Sequence, residues 1–260
     1  LNTHSKLYLG SIGYSYQQFY KDQYIFRFGA NEDIPEGSNI QLTYGIAYNE
    51  IRGRMLYTGI EASKGKHIED FGYISGYTAY GTFYSPQMAN NSTLQAGLMY
   101  FTDLQPNHIW NFRQFVKLKM VCGINKPSYE RIGFSREELY GLRNDSLSGK
   151  AKVIMNLETV MYAPYNIIGF KFAPVVLLGF GLMQREHNTS VWNSPVYQSY
   201  AIGLLIRNEN LLTSSFEITA GFYPSVPGTD NQRWKLNPLL GFTLRVRGFA
   251  IGRPELVGFE

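Results

Sequence analysis

Alternation of apolar and polar residues with a period of two is the dominant pattern of this chain. In the segment 150–163, one set of alternate positions is largely apolar, namely Ala151, Val153, Met155, Leu157, Thr159 and Met161, and the other is Lys150, Lys152, Ile154, Asn156, Glu158, Val160 and Tyr162. Segments 112–124, 211–223 and 236–249 alternate in the same way. Because successive side chains of a strand point to opposite faces, this period predicts β-strands with one apolar face.

Turn residues divide the chain into further segments of this kind. We predict strands at 7–19, 23–30, 38–49, 53–64, 70–84, 91–103, 108–124, 149–163, 166–183, 197–208, 211–223 and 236–249. The predicted fold class is therefore all-β, an antiparallel barrel of about 12 strands without helices. Predicted connections are short at 164–166 and 208–210 but long and polar at 125–148, 184–196 and 224–235. Short turns at one end and long loops at the other are typical of outer-membrane barrels.

Composition favours a transmembrane barrel over a soluble all-β sandwich, which alternation alone leaves open. Charged residues make up 17% of the chain, against roughly 25% in a typical soluble domain, while Tyr (20) and Phe (17) are frequent. Strands of this length can cross a bilayer at a tilt, and aromatic residues near strand ends suit the membrane–water interface. No apolar run is long enough for a transmembrane helix.

The sequence offers little for catalysis, metal binding or nucleic-acid binding. The four histidines lie in different predicted connections without metal-ligand spacing, and Cys122 is the single cysteine. The pairs His4 with Ser5 and His187 with Ser190 lack the strand spacing of an outer-membrane phospholipase site. The basic residues behind the net charge of +4 are scattered, which argues against nucleic acid. We expect a protein that is not an enzyme and has no cofactor, metal or catalytic residues.

The basic residues predicted to point inward allow two interpretations. They are Arg113, Lys117, Lys119, Lys171, Arg207, Arg245 and Arg247. Either they line an anion-attracting pore, or they form a solvated lumen wall that is paired with acids such as Glu158 and Glu217. The second interpretation is the simpler one.

Several blocks of the chain together resemble one family of membrane barrels. They are GANEDIPEG (29–37), WNFRQFVKLKMVCGIN (110–125), NLETVMYAP (156–164), GFKFAPVVLLGFG (169–181), AIGLLIRNENLL (201–212) and RPELVGF (253–259). In this order they are similar to the carboxy-terminal barrel of the BamA/TamA insertase superfamily (bacterial surface antigen family), in the form found in Bacteroidetes. Within the first block, EDIPEG is interpreted as a periplasmic turn between strands.

The resemblance implies a barrel of sixteen strands, whose long extracellular loop between the eleventh and twelfth strands folds into the lumen. Many members also carry periplasmic POTRA domains before the barrel. Residues 1–260 would then be one outer-membrane β-barrel domain, with the lumen-entering loop at 125–148 and a carboxy-terminal tail at 250–260. They would supply the last twelve strands, and the first four would lie upstream of Leu1. A reduced barrel of twelve strands is the alternative.

The resemblance also identifies a candidate site in the lumen. Family members carry an arginine motif at the loop tip, and the arginine reaches acidic residues on strands twelve and thirteen. The matching segment here is Leu139, Tyr140, Gly141 and Leu142, with Tyr140 in place of the arginine and Gly179 in place of one acid. The acidic residue expected on strand twelve is present as Glu158. Since a buried carboxylate needs a partner, we expect Arg143 first, then Lys152 or Lys171, to pair with Glu158.

The function implied by the resemblance is help in inserting or translocating other outer-membrane proteins, through a weak seam between the first and last strands. Pro238 and Gly241 of the last predicted strand disfavour regular pairing there. Expected partners are the lipid bilayer, lipopolysaccharide, client outer-membrane proteins and upstream POTRA-like domains, at the bacterial outer membrane. The alternative is a passive pore, anchor or scaffold barrel in an outer-membrane complex.

Overall fold

A computed structural model of the chain consists almost entirely of antiparallel β structure, as the alternation predicts. It describes residues 5–25, 28–29, 31–49, 53–85, 88–107, 109–135, 137–140, 147–185, 190–208, 216–224, 233–236 and 246–259. None of these residues belongs to a helix with the length and hydropathy needed to cross a membrane. One turn of 3-10 helix occurs at Val191–Asn193.

The described residues form fourteen strands. They are β1 (Ser5–Gln23), β2 (Asn31–Asn49), β3 (Gly53–Ile68), β4 (Gly72–Ser85), β5 (Met88–Phe101), β6 (Gln105–Pro106), β7 (Asn111–Ile124), β8 (Ile132–Gly133), β9 (Ser148–Gly149), β10 (Ala151–Tyr162), β11 (Phe170–Gln184), β12 (Tyr197–Asn208), β13 (Phe216–Phe222) and β14 (Trp234–Leu236).

The long strands form one sheet in which neighbours along the chain are neighbours in space. The order is β1-β2-β3-β4-β5-β7-β10-β11-β12-β13-β14, with β6 beside β7, while β8 and β9 pair separately. Connections therefore alternate between two ends of the sheet. We call the end that holds the connections 24–30, 69–71, 102–110 and 163–169 the turn end, and the other, which holds 125–150 and 185–196, the loop end.

The sheet is strongly curled and barrel-like. Strands β1 and β7 are five steps apart in the sheet, which is about 24 Å along its surface at roughly 4.8 Å per step. Yet both guanidinium Nη atoms of Arg113 on β7 donate to the Asp22 carboxylate on β1, each at 2.9 Å. The side chains on this concave face therefore meet across the interior. We call it the inner face.

The outward face is the apolar one, which is the reverse of a soluble domain. On β1 and β2, Ile12, Tyr14 and Tyr44 are 74%, 71% and 64% exposed, whereas the polar residues Asn39 and Gln41 of the inner face are 4% and 9% exposed. A soluble protein rarely exposes a continuous apolar surface of this extent. The apolar side of the alternating pattern therefore faces away from the interior.

Charged residues follow the same division beyond β3, on which Lys64 and Lys66 are outward and exposed. From β4 to β13 the strands contain eight of them: Arg113, Lys117, Lys119, Lys152, Glu158, Lys171, Arg207 and Glu217. The pairing registers place all eight at positions of the inner face. The outward face of these strands thus consists of uncharged residues.

One predicted strand, 23–30, is wrong. Tyr24 has a positive φ of 59°, and the segment is a connection at the turn end, where Ile25 and Phe28 are buried in an interior cluster. The rings of Tyr24 and Phe28 contact Tyr162 of β10, with centroids 4.8 and 5.6 Å away. The apolar alternation of this segment therefore reflects insertion into the interior.

EDIPEG is likewise not a turn, because residues 32–37 extend β2. This part of β2 pairs only with β1 among the described strands, since its pairing with β3 begins at Gly37. Pro35, which has no N–H to donate, is tolerated on such an edge. The two glutamates point inward, whereas Asp33 is exposed. Glu32 Oε1 accepts from the Ile25 amide at 3.1 Å, and Glu36 Oε1 accepts from the His67 amide at 2.5 Å.

The last predicted strand, 236–249, is only partly observed. Strand β14 pairs with β13 over Trp234–Leu236, and residues 237–245, including Pro238 and Gly241, lie outside the described part. Residues 246–249 are not strand but begin a tail, 246–259, that runs along the inner face.

Candidate functional site

The long connection 125–150, which we call the interior loop, folds back against the inner face of β10 to β13. Its base is held by two cations that bind backbone carbonyl oxygens. Lys150 Nζ donates to Glu130 O at 2.5 Å and also to Pro127 O. Arg131 donates to Ser148 O at 2.7 Å and to Arg185 O at 2.9 Å, which ties both ends of the loop to the end of β11.

Apolar side chains anchor the middle of the interior loop. Phe134, Leu139 and Leu147 form a buried cluster with Ile154, Met183, Tyr197 and Tyr223 of the surrounding strands. The Phe134 ring lies edge-on to Tyr197, with the centroids 5.7 Å apart. A Cβ on Gly181 would lie 2.9 Å from Phe134 and 3.0 Å from Leu139, so glycine leaves the space that both side chains fill.

Glu138 is clamped between two lysines of the sheet. Its Oε1 lies 2.7 Å from Lys119 Nζ on β7, and its Oε2 lies 2.7 Å from Lys152 Nζ on β10. Lys152, which is 1% exposed, also donates to Gly133 O at 2.9 Å. Burial alone raises the pKa of Glu138, but the two ammonium groups outweigh it and lower the pKa below its ordinary value. The carboxylate is therefore ionised and paired at neutral pH.

The local chain conformation holds Glu138 in position. The Ser135 amide donates to Glu138 Oε2 at 2.9 Å, and the Glu138 amide lies 3.3 Å from Ser135 Oγ. This reciprocal Ser-x-x-Glu arrangement is a capping box, which satisfies backbone donors at the start of a helical turn. It orients the Glu138 carboxylate toward the two lysines.

Tyr140 makes the deepest contact of the interior loop. Its hydroxyl donates to Glu158 Oε1 at 3.0 Å, and its backbone carbonyl accepts from the Tyr223 hydroxyl at 2.6 Å. Burial raises the pKa of Tyr140 far above its ordinary value, and the Glu158 carboxylate raises it further. The hydroxyl thus stays protonated and acts as a hydrogen-bond donor, which suits a structural contact better than acid–base chemistry.

The ring of Tyr140 packs over Gly179. A Cβ at Gly179 would lie 3.2 Å from Tyr140 Cδ2 and closer still to Ser199 Oγ, so a larger residue would collide there. Tyr140 and Gly179 are therefore complementary in shape. Glu158, 3% exposed, also lies 3.6 Å from Lys117 Nζ on the adjacent strand β7.

The remaining predicted site residues are placed as follows. Leu139 faces the apolar cluster, and Lys152 binds Glu138. Lys171 lies beside the connection 24–30, with its Nζ 3.6 Å from where a Cβ on Gly29 would be. Gly141, Leu142 and Arg143 lie outside the described residues, as do Pro238 and Gly241. The described contacts of Glu158 are made by Tyr140 and Lys117.

Glu138 was missed by the sequence reasoning, although the sequence holds a signal for it. The spacing Ser135 to Glu138 is that of a capping box, which marks an ordered turn inside the long polar connection predicted at 125–148. Its two lysine partners belong to separate strands, and no local pattern joins them to it.

The contacts of the site hold the interior loop in place. Among the described residues, no three His, Cys, Asp or Glu side chains are grouped to bind a metal ion. Comparison of the chain with family models, curated proteins and solved structures gives no match.

Proposed function

We propose that this chain is a bacterial outer-membrane β-barrel of the insertase type, which helps other outer-membrane proteins to insert or cross. The membrane location is carried by one observation: all eight charged residues of β4 to β13 share the inner face, and the outward face is apolar. In water this arrangement is unfavourable, whereas in lipid it is the expected one for a barrel.

The dimensions of the outward surface support the same proposal. Aromatic residues lie outward near both ends of the strands, with Tyr8, Tyr48, Tyr84 and Trp192 toward the loop end and Phe19 and Phe71 toward the turn end. From Tyr8 to Phe19 on β1 the span is about 25 Å along the membrane normal, for a rise of roughly 3.3 Å per residue and a tilt of roughly 45°. That height matches the apolar band of outer-membrane barrels.

The insertase role is supported by the resemblance of the RQF, NLE and IRNEN blocks and by a loop that enters the interior. An insertase needs a strand edge that can pair with an incoming strand. Within the described residues β1 pairs only with β2, so its other edge can pair with an upstream strand, with the end of this chain or with a client.

The membrane location is tested by tryptophan fluorescence in vesicles. Trp192 lies on the outward surface and is 67% exposed. A variant in which Trp110 and Trp234 are replaced by Phe retains Trp192 as its single tryptophan, and its emission should be quenched by lipids brominated on the acyl chain. Emission that is quenched by a water-soluble quencher but not by brominated lipid would reject the membrane location.

The insertase role is tested by depletion of the protein in its native cell, followed by quantitative proteomics of the outer membrane. Levels of several barrel proteins should fall and recover when the wild-type chain is restored. Unchanged levels, with the protein itself depleted, would reject a general insertase role while leaving the membrane location intact.

An anchor or scaffold barrel is the second candidate, and the occupied interior favours it over a passive pore. The interior loop, the connection 24–30 and the tail 246–259 all lie against the inner face, which is unsuited to a wide passive pore. POTRA-like repeats encoded upstream of Leu1 would favour the insertase. Co-purification of a fixed set of envelope proteins, with client levels unchanged on depletion, would favour the scaffold.

A further inference from the structure

The tail 246–259 lies along the inner face of β1 to β7, and side chains of that face bind its backbone. Gln17 Oε1 accepts from the Phe249 amide at 2.6 Å, and Ser15 Oγ donates to the Phe249 carbonyl at 2.6 Å. Further along the tail, the Val257 amide donates to the Tyr57 hydroxyl at 2.8 Å, and Gln95 Nε2 donates to the Gly258 carbonyl at 2.6 Å.

Glycines on four strands of this face provide space for side chains of the tail. A Cβ at Gly65 would collide with the Phe249 ring, one at Gly81 would lie 2.9 Å from Val257, and one at Gly123 would lie 2.6 Å from the Phe259 ring. A Cβ at Gly13 of β1 would lie 3.3 Å from the Ile251 side chain, which is a looser fit. The apolar residues of the tail are thus accommodated individually.

Charged groups bind both ends of the tail. Near its start, Arg247 forms an ion pair with Glu61, and its guanidinium lies 4.5 Å from the centre of the Tyr77 ring. Near its end, the Phe259 ring lies 4.7 Å from Lys126 Nζ. Cation–π contacts of this kind have a recognised attraction that is modest at exposed sites and larger where water is excluded.

The tail is bound without joining the sheet. The backbone groups of β2 to β7 are already paired with neighbouring strands, so the tail is recognised through side chains. That mode depends on the sequence of the bound segment, because its apolar and basic residues must fall opposite the glycines and the acid. A cavity of about 390 Å³, lined by polar residues such as Asn39, Gln41 and Thr43, lies beside the tail, so water reaches this part of the contact.

We propose that the inner face of β1 to β7 is a binding site for an extended peptide, that residues 246–259 are its resident ligand, and that a peptide of the same sequence exchanges with them. The ligand class is a short segment with a basic residue, then aromatic and aliphatic residues that lie opposite Gly65, Gly13, Gly81 and Gly123. This inference goes beyond the proposed function and does not depend on where the protein resides.

The docked position of the tail is tested by cross-linking in a Cys122→Ala background. Gln95→Cys is combined with Gly258→Cys, since these residues are hydrogen-bonded. A short bifunctional thiol reagent should join the two introduced thiols in the folded protein. Leu94→Cys with Gly258→Cys is the matched control, because Leu94 is adjacent but at an outward position of β5. Equal cross-linking in both pairs, or none in the first, would overturn the docked position.

Exchange is tested with a fluorescent peptide of residues 246–259, whose binding is measured by anisotropy. The attached tail competes at a high effective concentration, so binding to the wild-type chain should be weak. Arg247→Ala weakens the attached tail but not the wall, and loss of its ion pair and cation–π contact should strengthen peptide binding about tenfold. The double variant Gln95→Cys with Gly258→Cys should not bind the peptide once it is cross-linked, while the same protein without reagent should.

The control peptide has the same composition in scrambled order. Binding that is equal for the scrambled peptide, or equal in cross-linked and free protein, would place the peptide elsewhere and reject the proposal. If the cysteine variants do not fold, the comparison of wild type with Arg247→Ala still decides: no gain in peptide binding would overturn the exchange.

Discussion

The interior loop 125–150 and the tail 246–259 both lie against the inner face, yet they are held in different ways. The loop is bound by a buried apolar cluster, by a carboxylate that pairs with buried Lys152 and partly exposed Lys119, and by a buried hydroxyl donated to Glu158. The tail is bound by part-buried hydrogen bonds and a part-exposed ion pair beside a polar cavity. Separating a buried polar group from its partner costs free energy, because the group is left unsatisfied. We therefore expect the interior loop to stay in place and the tail to exchange.

The largest expected effect is that of Glu138→Ala. It leaves Lys152 buried without its carboxylate, and removal of one partner of a buried ion pair costs about 3–5 kcal/mol. Unfolding by denaturant, followed by the gel mobility of the folded barrel, measures this loss. Glu137→Ala is the control, since Glu137 is the exposed neighbour and should change stability by less than about 0.5 kcal/mol. Similar values for the two variants would contradict the clamp.

Tyr140→Phe should have the next largest effect. The phenylalanine ring still packs over Gly179, but Glu158 loses its donor, and a hydrogen bond to a charged group contributes about 1.5–3 kcal/mol. The same unfolding experiment measures it, and Tyr129→Phe, on an exposed ring of the same loop, serves as the control. If Tyr140→Phe is as stable as wild type, the hydroxyl does not hold the loop.

The contrast between loop and tail also shows what could be predicted from the sequence. Alternation in 150–163 predicted that Glu158 and Lys152 share the inner face, because a strand orients its side chains by period alone. The same reasoning failed for 23–30: an apolar alternating run can be a strand or an inserted connection, and its partner Tyr162 lies more than a hundred residues away.

The contacts that hold the candidate site were beyond local reasoning for a similar reason. Glu138 meets lysines from β7 and β10, and only the pairing register of those strands brings the two ammonium groups together. The tail depends on contacts between residues far apart in the sequence, such as Gln95 with Gly258. A glycine in a strand is recognisable in sequence, but the side chain for which it leaves room is not.

Acidification should loosen the interior loop. The pKa of Glu138 is lowered in the folded protein, so its contribution to stability is complete above the ordinary pKa and is lost as the pH falls through the lowered one. The unfolding free energy of the wild type should therefore decline below about pH 4.5. Glu138→Gln should show less of this decline, and an identical pH profile in the variant would assign it to other carboxylates.

The smallest effect on stability, and the most specific one for the tail, is expected from Gly123→Ala. The added Cβ would lie 2.5 Å from Lys126 Cγ and 2.6 Å from the Phe259 ring, so both side chains must move, which removes the contact between them at a cost of about 0.5–1 kcal/mol. The global unfolding free energy should barely change, because the strands and the buried contacts of the interior loop at Glu138 and Tyr140 are unaffected, but a protease should cleave the tail near Phe259 several-fold faster. Gly10→Ala is the matched control, since a Cβ there meets no atom within 4 Å. Equal digestion of the two variants would mean that Gly123 does not seat Phe259, whereas faster digestion of Gly123→Ala alone would separate attachment of the tail from stability of the sheet.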